Sequence, residues 1–209
     1  MRLRHLAVII LMFAGTIGSA QSTGISLGIE QSNSQVRANG SKYSGDLSGL
    51  KLSGRMELAG RYYAHVDYTT GSGKVTASDT KDVSYTEYAI HVGYGLGQAS
   101  ESADESIYPY FVGLGYLNKD LDFDGTTYHE NNFPVVLGAN FALGDRVGLQ
   151  VMGFAPIDKI QNNRAADIQL SVAMGKRSKM IAGYTNYSSK LAYIKQCGSG
   201  FELSYHIDF

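Results

Sequence analysis

The sequence contains no tryptophan, one cysteine and only three prolines among its 209 residues, and each shortage closes a route. With Cys197 alone, no disulfide can form within the chain, and neither a disulfide framework nor a thiolate metal cluster is available. Past the first twenty residues, no stretch approaches the roughly 20 continuous apolar residues of a spanning helix, which excludes a helical membrane protein. An excess of positive charge is also missing. The 18 basic and 19 acidic side chains nearly cancel, so nucleic acid is not an expected partner. In place of these stand 25 glycines, 15 tyrosines and 8 phenylalanines. That composition suits many tilted strands with close backbone contact and rings at their ends.

Arg2, Arg4 and His5 precede the apolar run Leu6 to Phe13, and Gly18-Ser19-Ala20 offers small residues where a signal peptidase inspects the chain. Residues 1–20 are therefore expected to be a secretory signal peptide, and residues 21–209 a single domain. Gln21 stands where a lipoprotein would need a cysteine. Removing residues 1–20 takes away two arginines and no acid, which leaves 16 basic against 19 acidic side chains, a formal charge of −3.

The rest of the chain alternates apolar and polar residues, the period of a strand. Segments are expected at Gly24–Gln31, at Leu50–Tyr68 split in two by a turn at Leu58-Ala59-Gly60-Arg61, at Tyr88–Leu96 and at Tyr108–Tyr116. Others follow at Phe133–Leu143, Val147–Val151, Ile168–Met174, Met180–Tyr184 and Phe201–Phe209. The reading is all-β: a closed antiparallel transmembrane β-barrel of ten strands, with eight as the alternative if the turn near 58–61 and another weak pair merge. Five longer spacers, 32–46, 70–82, 119–131, 157–166 and 188–199, are expected as outer loops. The connections at the other end are short except for acidic Gln98–Ser106.

A periplasmic sandwich or lipocalin-like barrel would alternate too, with its apolar face inward. The second face decides between them. It carries Glu30, Lys51, Arg55, Glu57, Arg61, His65, Asp67, Glu87, His91, Gln150, Asp167, Gln169, Glu202, His206 and Asp208, which suits a polar lumen with lipid outside. The final strand has the same two faces, with Phe201, Leu203, Tyr205, Ile207 and Phe209 as one apolar stripe. That ending resembles the C-terminal signature of bacterial outer-membrane barrels, which the barrel-assembly machinery reads. Tyr110-Phe111-Val112-Gly113-Leu114-Gly115-Tyr116 and Val135-Val136-Leu137-Gly138-Ala139-Asn140-Phe141-Ala142-Leu143-Gly144-Asp145 look like strands of the small OmpA/OmpX/opacity-type barrel superfamily. The resemblance implies a bacterial outer-membrane location and a structural or surface-interaction role carried by outer loops. It implies outer-membrane lipid and lipopolysaccharide as surroundings, an extracellular ligand through the loops, and a monomer.

Arg55, Glu57, Arg61, His65, Asp67, Glu87 and His91 fall on three consecutive strands and are expected to pair as an interior polar network. Two alternatives stay open. Charges that line a gap would make a narrow pore for small solutes. His65 with Asp67 or Glu87, or His91 with Glu87, could serve as the acid/base pair of a lipid- or peptide-modifying enzyme. No serine stands out as a nucleophile, and no catalytic residue, cofactor or metal is assigned. Asp120, Asp122 and Asp124 before Gly125 reproduce the first half of a calcium loop, but Asn131 stands where the closing glutamate belongs. His129 lies in the same spacer, and His206 is expected to be a hydrogen-bonded structural histidine.

Overall fold

The computed structural model describes residues 22–58, 61–98, 100–102, 105–157, 164–191 and 193–209; the expected signal peptide lies outside them. Strands account for all the regular structure among these residues. They are β1 (Ser22–Ala38), β2 (Ser41–Glu57), β3 (Tyr62–Thr76), β4 (Thr80–Leu96), β5 (Ser100–Ser102), β6 (Glu105–Ile107) and β7 (Tyr110–Phe123). After these come β8 (Thr126–Asn132), β9 (Pro134–Ala142), β10 (Val147–Pro156), β11 (Arg164–Ala173), β12 (Ser178–Leu191) and β13 (Ile194–Asp208).

Each strand pairs antiparallel with its neighbour, β13 pairs back onto β1, and β4 pairs with β7, so the sheet closes. Ten staves form the wall, as the alternation predicts. The tenth is counted once because β8 and β9 are one stave interrupted at Pro134. β7 pairs with β8 above that point and with β9 below it, in the same register. Proline has no N–H to give the ladder, and the continuous stave breaks there. β5 and β6 form a small separate hairpin within the expected acidic turn; Asp104 of that turn lies outside the described residues.

Outside, the wall carries Ile25, Leu27, Ile29, Leu50, Val92, Leu114, Leu137, Ile168 and Leu203, all well exposed. Rings edge this belt: Tyr62 with Tyr94 at the end holding both termini, Tyr116 with Phe133 and Tyr184 with Phe201 at the far end. From Phe201 to Phe209 the strand spans eight steps, roughly 26 Å at about 3.3 Å each, which after tilt suits a bilayer's apolar band. In the usual insertion of such barrels, the end with both termini is periplasmic.

The strands do not stop at the belt, and here the expected outer loops are corrected. Residues 32–46, 70–82 and 119–131 are wall joined by tight turns, not loop, and residues 188–191 and 194–199 are wall as well. Asn39 and Gly40 (φ 49 and 80°) close β1 to β2, and Asp124 and Gly125 (φ 54 and 79°) close β7 to β8, both with the left-handed backbone that a two-residue hairpin requires. Within 157–166, Arg164 begins β11, while residues 158–163 lie outside the described residues.

Above the belt the two faces exchange character. Along β1, outward Ile25, Leu27 and Ile29 give way to outward Gln31, Asn33, Gln35 and Arg37, while the inward face turns apolar at Val36 and Ala38. Inward residues of the other strands join them: Leu47, Val75, Val83, Tyr85, Leu121, Phe123, Leu191 and Ile194 form one buried cluster, with Tyr43 and Tyr128 against it. This distal overhang is built like a water-soluble barrel around an apolar core. A second, smaller cluster, Phe111, Val136 and Met152 with Tyr63 and Phe154, fills part of the lumen nearer the termini.

Candidate functional site

The lumen between the two clusters holds the charges. Odd-numbered residues of β2, β3, β4 and β7 and even-numbered residues of β1 and β13 point inward, so alternation alone brings them together. Nearest the termini, Arg55 meets Glu57 at 3.1 Å beside a small cavity of about 40 Å³. Arg61 sits exposed at this rim, its guanidinium 5.4 Å from the centre of the Tyr108 ring. One layer up, the His65 and His91 rings stack at 4.7 Å, and His65 Nε2 lies 3.0 Å from Asp67. Asp67 also accepts a hydrogen bond from Ser53 at 2.6 Å and lies 3.8 Å from Lys51. Lys51 in turn donates to Glu202 at 2.7 Å, tying β2 to β13 over the inner face of β1.

Above this layer opens a larger chamber of about 160 Å³. Glu87 pairs here with Lys119 at 3.2 Å, and the Lys119 ammonium lies over the faces of Tyr85 (5.3 Å) and Tyr187 (5.0 Å). Ser189 donates to Glu130 at 2.5 Å, and Gln169 to Asp167 at 2.8 Å. The network proposed from sequence is thus distributed over levels: Arg55 with Glu57, His65 and His91 with Asp67, Glu87 with Lys119, and Arg61 at the edge. Lys119, Glu130, Tyr85 and Tyr187 were not foreseen, because they fall in or beside stretches read as loops. Their parity was the available signal, since Lys119 continues the odd, inward phase of Phe111.

A further constellation lies in the seam where β13 meets β1. Ser26 Oγ is 2.7 Å from His206 Nδ1, and His206 Nε2 is 2.7 Å from Asp208. The hydrogen-bond order matches that of a serine nucleophile, its base and an orienting acid. Yet Ser26 and His206 are buried in the lumen wall, and neither of the two cavities touches them. Their geometry serves as a clasp on the closing seam. The outward face of β13 presents Phe201, Leu203, Tyr205 and Ile207, with Phe209 just past its end. At the distal tip the three aspartates diverge: Asp120 meets His129 at 2.7 Å, Asp122 accepts from Gly125 N and Thr127, and Asp124 takes Lys81 at 2.7 Å.

No protein-family model matches the sequence, and no curated protein does. Among solved structures, the chain is similar to the translocator domain of autotransporter NalP from Neisseria meningitidis, with 11% identity over 97% of this chain and 94% of that one, at a TM-score of 0.53. It is also similar to the beta domain of the Bordetella autotransporter BrkA, with 11% identity over 90% of this chain and 100% of the other, at a TM-score of 0.51. The outer membrane protein OprG from Pseudomonas aeruginosa aligns over 91% and 97% of the two chains, with 9% identity and a TM-score of 0.42. At these identities the likeness is one of fold. The two autotransporter domains, with the outward apolar belt and the closed sheet, give the chain the fold of a membrane-spanning β-barrel of the outer-membrane type.

Proposed function

We propose that this barrel is a non-enzymatic structural and surface-contact protein of the bacterial outer membrane, whose contact surface is the polar outer face of the overhang. The observation that carries this reading is the distal apolar cluster. Leu47, Val75, Leu121 and Leu191 are essentially inaccessible and occupy the lumen where a pore would need to open, while Asn33, Ser72 and Asp122 on β1, β3 and β7, strands that also contribute to the cluster, face outward. Lipid and lipopolysaccharide surround the belt, the assembly machinery reads the apolar stripe of β13, and the protein acts as a monomer. An extracellular ligand would meet a stiff sheet of Ser, Thr, Asn and Gln side chains.

The test has two arms. In planar bilayers the purified protein is expected to give no steady conductance, and Arg55→Ala is expected to leave that unchanged; a steady ohmic conductance in the native protein would overturn the reading in favour of the pore. On cells, replacing outward Asn33, Ser72 and Asp122 by Lys should abolish surface binding while heat-modifiable gel migration persists. Assays of lipid A and peptide turnover complete the comparison, with none expected. Turnover lost in His65→Ala, His91→Ala or Ser26→Ala without loss of folding would establish an enzyme instead.

A further inference from the structure

On the outer face of the overhang, four basic side chains stand directly opposite one another on four adjacent strands. Lys42 of β2 pairs in register with Arg37 of β1, Arg37 with Lys195 of β13, and Lys195 with Lys190 of β12. All four are exposed. With neighbouring strands about 4.8 Å apart, the row extends for about 14 Å. Like charges directly opposite one another destabilise a sheet, so the stability of the barrel does not account for them. On β3, β4, β7 and β8, by contrast, the cations near the tip have acids: Lys74 lies 3.9 Å from Asp82, Lys81 between Asp79 and Asp124, and His129 against Asp120. Arg37, Lys42 and Lys195 make no ion pair among the described residues. Their counter-charge is left to the surroundings.

Position says what those surroundings are. Lys195 lies six residues from Phe201, a ring at the far edge of the belt, which puts it about 20 Å along the strand and, at a tilt of about 40°, about 15 Å above that edge. Polar headgroups reach only about 5–8 Å beyond the hydrocarbon core, so lipid phosphates fall short of the row. Its side chains leave the wall sideways, toward the molecules that flank the barrel at that height. In the outer-membrane surroundings proposed above, these are lipopolysaccharides, whose core sugars stand over the lipid and bear phosphate and carboxylate groups. Between belt and row the same four strands present amides and hydroxyls, among them Asn33, Gln35, Ser44 and Ser188, with Asp46 the one acid there, held by Asn33 at 3.1 Å. Sugar hydroxyls find partners on that wall, and Tyr193, 93% exposed at the β12–β13 turn, offers a ring to a sugar face. We propose that Arg37, Lys42, Lys190 and Lys195 bind the acidic core sugars of a flanking lipopolysaccharide, a proposal that rests on those surroundings. Guanidinium takes phosphate or carboxylate through two hydrogen bonds, and the ammonium groups act as point charges on either side.

The full chain folded in detergent micelles with EDTA, which removes divalent bridges between phosphates, is titrated with core-bearing lipopolysaccharide, with lipid A lacking the core, or with chondroitin sulfate. Core-bearing lipopolysaccharide should raise the midpoint of heat-modifiable migration saturably and further than lipid A does. Arg37→Ser and Lys195→Ser should each raise its half-saturating concentration by about threefold, and together by about tenfold, as exposed ion pairs are lost. Lys74→Ser, whose partner is Asp82, should leave it unchanged. Migration itself reports whether each variant has folded, and Lys42→Ser replaces either single variant that has not. Three results overturn the proposal: an equal response to lipid A, a native half-saturating concentration in the double variant, or a response to chondroitin sulfate that matches the core-bearing form and makes the row a site for polyanions from outside. Conductance and turnover, which judge the non-porous and non-enzymatic reading, are independent of all three.

Discussion

Lys51 is the side chain on which the lumen's charge pairing turns. Its side chain is only 15% exposed, donates to Glu202 on one side and faces Asp67 on the other. Removing one partner of a buried ion pair strands the other charge, so Lys51→Ala should destabilise the barrel by about 3–5 kcal/mol in urea unfolding from lipid vesicles. A loss under about 1 kcal/mol would mean that water, not lysine, solvates those carboxylates. At the distal tip a different cluster responds to pH. Hydrogen bonds from the Lys81 ammonium to Asp124 and Asp79 hold the lysine above its ordinary range, and the same ammonium holds Asp79 below the usual carboxylate range. The signs follow. The aspartate's contribution is complete above the unfolded value near 4 and fades as pH falls through its lowered folded value; the lysine's is complete below about 10.5 and fades as pH rises through its raised one. Amide exchange at Ala77, whose N–H bonds to Asp79 O in this turn, should be slowest between about pH 4 and 10 once corrected for intrinsic rate. A flat protection profile across that range and beyond it would mean that the Lys81 pairing with Asp79 and Asp124 does not hold this turn.

Within single strands, the exchange of faces explains what alternation revealed and what it concealed. In the belt, outward apolar residues are large and regular, as at Ile25, Leu27 and Ile29, and the strand is plain in the sequence. Past Gln31 both faces are polar for several residues, Ser32 and Ser34 inward and Asn33 outward, and the apolar phase returns only at Val36 and Ala38, now on the other parity. A reader following one apolar stripe loses it there and sees a loop. Asn39-Gly40 and Asp124-Gly125 carried a hairpin-turn signal that the loop reading passed over, and the glycine after the three aspartates, compared with a calcium loop but not assigned to one, serves that turn. The contents of the chamber followed the same boundary: Asp67, Glu87 and His91 lay on or at the edge of the visible strands, Lys119, Glu130 and Gln196 beyond them. The interruption at Pro134 has its own test. Asn140 N donates to Pro109 O, and hydrogen-bonded pairs recur every second residue, so the Gly115–Pro134 pair is one that lacks its donor. Pro134→Ala supplies an N–H there, and amide exchange across the β8–β9 joint should slow while overall stability changes by less than about 1 kcal/mol, lost chain stiffness offsetting the new bond. Unchanged exchange would mean that the joint is opened by something other than the missing donor.

At the scale of the whole barrel, the belt and the overhang present two solvents with two surfaces. In a Cys197→Ser background, Asn33→Cys and Asp122→Cys should react with a membrane-impermeant thiol reagent on intact cells, whereas Leu27→Cys should not. Reaction at Leu27→Cys would deny that the belt is in lipid. Phe209→Ala should impair insertion far more than it alters protein already inserted, and normal insertion would weigh against the stripe on β13 as the signal for assembly. The apolar cluster at the far end adds a question of timing. Its members come from β1, β2, β3, β4, β7, β12 and β13, so no hairpin can complete it alone and it is dry only after the sheet has closed. Contacts formed after the rate-limiting step do not hasten folding; they retard escape. Leu121→Ala should therefore leave the rate of insertion untouched and speed extraction and unfolding, so that the cluster acts as a latch whose effect is the lifetime of the inserted barrel.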